Sequence, residues 1–200
     1  MFKKKGTILM AIGLLFLTAA LAFVVYNVYT EKQAEKFSNE VAKQLAAEMT
    51  AVEKAADYKI HPDKEMPVVC IDGEYFVGML EIPYLGVKLP VYAGPWNYEK
   101  LRSAPCLYEG SVYKDNMIIA AHNYSSFFGG IGDLPQGSEV RFTDADGNTF
   151  LYETAWVEVL QPTDTEKMTA SEGWDLTLFT CTFSLTERLT LRCYKKNLEL

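Results

Sequence analysis

The chain has 200 residues, enough for one domain of about 100–150 residues with its own core plus appendages. A composition 49% hydrophobic and 22% charged excludes wholesale disorder. Lys3, Lys4 and Lys5 are the only charges before residue 31, so of the formal net charge of −7 the remainder carries −10. Nucleic-acid binding needs a basic stripe, and this acidic exterior excludes it.

In chain order, Gly6 to Thr30 holds no charge and is mostly Leu, Ala, Ile, Val and Phe. About twenty such residues span a bilayer as a helix. Lysines on the N-terminal side predict residues 1–5 in the cytoplasm, a membrane span over 6–30 and an exported remainder. Ala20-Leu21-Ala22 offers a competing reading as a cleavable signal, but the apolar run continues through Phe23-Val24-Val25-Tyr26. An uncleaved anchor is therefore expected, with no second anchor after Leu200.

Phe37, Val41, Leu45, Met49, Val52 and Ala56 recur every three or four residues, which predicts an amphipathic helix over 31–57 docking partly on the domain. Tyr58 to Pro67 reads as a linker, with His61 as a solvated surface residue. From 68 onward the texture becomes short strands and turns. Strands are predicted at Phe76–Ile82, Val87–Tyr92, Met117–Ala121, Glu139–Thr143, Thr149–Leu160, Leu176–Cys181 and Arg188–Tyr194. Trp96–Arg102 reads as one or two helical turns, and Tyr124–Leu134 as a glycine-rich loop. Strands at this spacing predict a mainly β barrel or sandwich over 68–200.

The four cysteines, Cys70, Cys106, Cys181 and Cys193, are widely and irregularly spaced, with no CxxC pair for a metal knuckle. Cys70, Cys106 and Cys193 read as core residues, although a Cys70–Cys106 bridge stays open. Cys181 differs because it ends an apolar strand just before the turn-like Thr182-Phe183-Ser184. A nucleophilic thiol needs a nearby cation or base to populate thiolate. His122, one of only two histidines, closes the apolar run Met117-Ile118-Ile119-Ala120-Ala121 and can move a proton near neutral pH. Arg188 follows Cys181 by seven residues and offers a planar fork of donors for an oxyanion. Arg192 is its rival on the same strand face. Asp144–Asn148 fits a hairpin turn better than a calcium loop, because its acidic pattern stops at Asp146. No metal or cofactor is expected.

Thr177-Leu178-Phe179-Thr180-Cys181 resembles the TLxTC signature of sortases, the surface transpeptidases of Gram-positive bacteria. Arg188-Leu189-Thr190-Leu191-Arg192 resembles their arginine strand, and Met117 to Asn123 their strand leading to the catalytic histidine. Gly78-Met79-Leu80-Glu81-Ile82-Pro83 and Leu89-Pro90-Val91 are similar to their opening strands. The resemblance covers roughly 76–194. It implies an eight-stranded β-barrel in which Cys181 attacks an LPxTG-like sorting signal and forms a thioacyl enzyme. It further implies that His122 shuttles the proton, Arg188 stabilises the oxyanion and Thr180 lines the groove. An amine on a cell-wall precursor or a pilin would resolve the intermediate. Gly94-Pro95-Trp96 resembles the aromatic lid motif of some members but reads here as a turn. The alternatives are an exported cysteine peptidase that hydrolyses and a non-enzymatic surface β-domain.

Overall fold

The apolar N-terminal run and the stripe behind it form one uninterrupted helix, α1 (Phe2–Glu48). The computed structural model describes residues 2–49, 63–170, 173–182, 184 and 186–196. The predicted helical positions Val52 and Ala56, and the linker histidine His61, lie outside the described residues. No proline interrupts α1, and its 47 residues extend about 70 Å at 1.5 Å per residue. Residues from Gly6 onward are long and apolar enough to cross a membrane.

Polarity divides α1. Its first part exposes large apolar side chains such as Leu15, Phe16 and Phe23. Its second part buries Ala34, Ser38, Val41, Ala42 and Leu45, which share one face at helical spacing. That face packs on Ile71, Phe76, Met79 and Tyr92. Phe37 is half-buried and stacks on Tyr92 with ring centroids 6.5 Å apart.

The strands are β1 (Val69–Ile71), β2 (Glu74–Ile82), β3 (Val87–Tyr92), β4 (Cys106–Glu109), β5 (Met117–Ala120), β6 (Glu139–Asp144), β7 (Thr149–Leu160), β8 (Leu176–Cys181) and β9 (Arg188–Lys195). They run β1-β2-β3-β4-β5-β8-β9-β7-β6, and β2 also pairs with β6. That last pairing closes the eight strands β2–β9 into a barrel, with β1 as a short annex on β2. The expected eight-stranded barrel is therefore present. The core inside it includes Leu80, Val91, Ile119, Phe142, Tyr152, Leu178 and Leu191.

Closure depends on a backbone approach at Gly78. This residue has φ 155°, and a Cβ there would lie 2.1 Å from the Thr143 carbonyl oxygen on β6. Only glycine lets β2 approach β6 so closely. The β6–β7 connection is the expected hairpin turn, and Asp144 organises it. Its carboxylate accepts from Asn148 N at 2.8 Å, Asn148 Nδ2 at 2.9 Å and Tyr113 Oη at 2.7 Å. Those bonds engage both carboxylate oxygens of Asp144.

Two short helices lie beside the barrel, α2 (Tyr98–Ser103) and α3 (Thr165–Thr169). Asn97 caps α2 by accepting from Lys100 N at 2.8 Å. All four cysteines are free. Cys106 and Cys193 are core thiols as expected, but Cys70 is exposed on β1. Its side chain falls on the outward-facing position of a three-residue edge strand, between half-buried Val69 and buried Ile71.

Candidate active site

The site begins with the pairing of β5, β8 and β9. β5 and β8 run parallel, so the chain leaves both in the same direction, and Ala120 pairs with Phe179. His122 follows β5 and Cys181 ends β8, which brings both to one end of the barrel wall. Asn123 Nδ2 ties the two exits together by donating to the Cys181 carbonyl oxygen at 3.2 Å. β8 and β9 are antiparallel, and Arg188 sits directly opposite Cys181.

Alternation assigns the faces. Leu176 and Leu178 point into the barrel core. Thr177, Phe179 and Cys181 therefore share the outer face. Phe179 joins Ile118, Leu160, Met168 and Tyr108 in a small apolar cluster outside the barrel. Above it lies a cavity of about 480 Å³ lined by His122, Thr180, Cys181 and Arg188 together. Trp96, Tyr98 and Tyr108 form one wall, and Gln161, Asp164, Thr165 and Met168 from the β7–β8 connection form another.

His122 is half-buried. Desolvation and then the nearby Arg102 charge push its imidazole below the ordinary histidine range, which favours the neutral ring. Its Nε2 is buried without a hydrogen-bond partner among the described residues. The ring is flanked by Tyr98, edge-on at 5.5 Å, and Tyr124, tilted at 5.1 Å. Thr180 Oγ1 is likewise buried and unpartnered.

The two arginines of β9 separate cleanly. Arg188 is half-buried and lines the cavity. Arg192 is fully buried in a structural network. Its guanidinium donates to Glu158 Oε1 at 2.8 Å, Thr177 Oγ1 at 2.7 Å and the carbonyls of Met168 and Lys167 at 3.2 and 2.7 Å. It also stacks over Trp174 at 4.2 Å. With its donors engaged there, Arg192 cannot serve the thiol. The other buried thiols are inert by environment. Burial pushes Cys106 up to about 12 and Cys193 higher still.

Sequence reasoning missed the aromatic wall. Trp96, expected in a turn, and Tyr98, at the start of α2, both line the cavity. The readable signal was the Asn97 cap, which fixes where α2 begins and hence where Tyr98 points. The β7–β8 connection contains α3 and supplies one cavity wall.

A closed eight-stranded barrel with cysteine, histidine and arginine around one outer-wall cavity defines a sortase-like fold. A family model described as "Sortase domain" matches residues 80–196, more than half of the chain. The chain belongs to the sortase family, which are transpeptidases. Among solved structures, Sortase C from Streptococcus pneumoniae matches at TM-score 0.62 and 20% identity, over 79% of this chain and 97% of that one. The Sortase D5 transpeptidase from Clostridium perfringens matches at TM-score 0.60 and 18% identity, over 81% and 99%. Sortase C1 from Streptococcus suis reaches 28% identity at TM-score 0.52, over 61% and 73%. No curated protein matches the chain. The matching structures include sortases of types A, C and D, and the class of this chain is unassigned.

Proposed function

We propose that this sortase is a membrane-anchored cysteine transpeptidase acting on an LPxTG-like sorting signal, with residues 1–5 in the cytoplasm, 6–30 in the membrane and the barrel of 68–200 outside. The neutral His122 imidazole takes the thiol proton of Cys181 as the sulfur attacks the Thr–Gly carbonyl carbon. Arg188 stabilises the oxyanion that forms. As that intermediate collapses the C–N bond breaks, the leaving amine takes a proton from His122, and an acyl–sulfur bond remains. An incoming amine gives its proton to His122 and attacks the thioester. The C–S bond then breaks, and the sulfur takes that proton back from His122. That amine belongs to a cell-wall precursor or a pilin lysine. Thr180 lines the groove beside the nucleophile.

The observation carrying this reading is the shared cavity, in which Arg188 lies directly across the ladder from Cys181 and His122 leaves the parallel neighbour strand. The first test is Cys181→Ala in the full-length protein with an LPxTG-like peptide. Cleavage should be abolished, and retained cleavage would sink the mechanism. Products are then analysed with and without an added amine nucleophile. Amide-linked product identifies transfer, whereas free acid in both arms identifies a hydrolase.

A further inference from the structure

The apolar run ends at Thr30, and Glu31 is the first charged residue beyond it. With 6–30 in a bilayer, Glu31 stands at the membrane–water boundary. Its carboxylate reaches the barrel there. Oε1 accepts from Ser125 N at 2.7 Å and from Ser125 Oγ at 2.5 Å. Ser125 lies three residues after His122, in a loop that folds back on itself. Phe128 N donates to the His122 carbonyl at 3.3 Å, and Gly129 N to the Tyr124 carbonyl at 2.8 Å.

A second contact joins the same partners. Arg102, near the end of α2, lies between α1 and Tyr124 of the loop. Tyr29, Phe37, Arg102 and Tyr124 also line one cavity between α1 and the barrel. Tyr124 is the residue whose ring flanks the His122 imidazole. The helix therefore holds the loop at Ser125 and borders it at Tyr124. This matters for His122 because its Nε2 has no partner among the described residues to orient it. Flanking rings and loop backbone hold the imidazole in place.

We propose that Glu31 is a positioning residue for His122: where α1 leaves the membrane, its carboxylate fixes the loop that presents the imidazole to Cys181. The proposal rests on His122 as the proton carrier described above. It makes the anchor part of the catalytic architecture, so the lipid-proximal turn of α1 sets turnover as well as location.

The test uses the full-length enzyme in phospholipid nanodiscs, with an LPxTG-like peptide and an added amine. Glu31→Ala should lower kcat about tenfold through small misplacement of the base. KM and the thermal midpoint should stay at their wild-type values. Glu31→Gln, whose amide oxygen still accepts from Ser125, should recover most of that loss. Glu35→Ala, one turn along and exposed, should behave as wild type. Wild-type kcat in Glu31→Ala overturns the proposal, as does a loss matched by Glu35→Ala. If Glu31→Ala fails to fold, Ser125→Ala decides: it removes one of the two donors, and unchanged kcat there overturns the coupling. His122→Ala separates the two readings. Full activity in that variant removes the proton-carrier role itself, whereas an inactive His122→Ala beside a fully active Glu31→Ala removes only the coupling.

Discussion

Cys181 and Arg188 are direct partners across the β8–β9 ladder, on the outer face of the barrel. Strand pairing therefore sets their separation. The hairpin between them is short, yet it costs nothing in alignment, because an antiparallel pair puts opposite residues on the same face whatever the turn length.

The first prediction separates the two arginines of β9. Arg188→Ala should fold normally and lose about 10²–10³ in kcat/KM, as for removal of an oxyanion donor. Arg192→Ala leaves Glu158 and two backbone carbonyls without their cation, and should cost about 3–5 kcal/mol of stability. Thermal unfolding and peptide-cleavage kinetics on both variants check this. A stable, active Arg192→Ala would contradict the network described here.

A second prediction concerns thiol reactivity in the folded protein. Iodoacetamide should label Cys70, which is exposed, and Cys181, but spare Cys106 and Cys193. In a Cys70→Ser background one thiol should react, and His122→Ala should slow its labelling. Intact-mass spectrometry counts the adducts.

Protonation of His122 gives a third. The folded imidazole lies below its ordinary value, first through burial and then through Arg102. Below a pH of about 6.5 the unfolded chain binds this proton more readily than the folded one. Stability should therefore fall as pH drops through that range and level off once the folded imidazole is also protonated. Removing the like charge with Arg102→Gln should move the imidazole upward. NMR titration of the His122 ring, assigned in a His61→Gln background, measures both effects.

The fourth concerns barrel closure. Gly78→Ala puts a methyl against the Thr143 carbonyl and against Asp144 and Phe142. A loss of about 1–3 kcal/mol is expected from overpacking. Denaturant unfolding should show it, with hydrogen exchange rising first in β2 and β6.

Much of the barrel was legible because its strands carry strong local signals. Val87–Tyr92 and Leu176–Cys181 match their predicted bounds to the residue. β4 was invisible because Cys106-Leu107-Tyr108-Glu109 is neither a continuous apolar run like Met117–Ala120 nor an alternating one. β1 escaped for the same reason: its three residues make no period. Cys181, His122 and Arg188 stood out because each closes or opens an apolar strand run. The aromatic wall did not, since Trp96 and Tyr98 acquire meaning only when the β3–β4 connection folds over the outer wall. The Glu31–Ser125 bond spans 94 residues, a separation no local pattern encodes.

Arg192 grips the segment over the cleft by the carbonyl oxygens of Lys167 and Met168, not by their side chains. Backbone recognition is indifferent to residue identity. Gln161, Asp164 and Thr165, which face the cleft from this segment, can therefore be exchanged while the mooring to β9 stays intact. Substitutions between 161 and 165 thus reshape one wall of the cavity while the barrel strands stay in place.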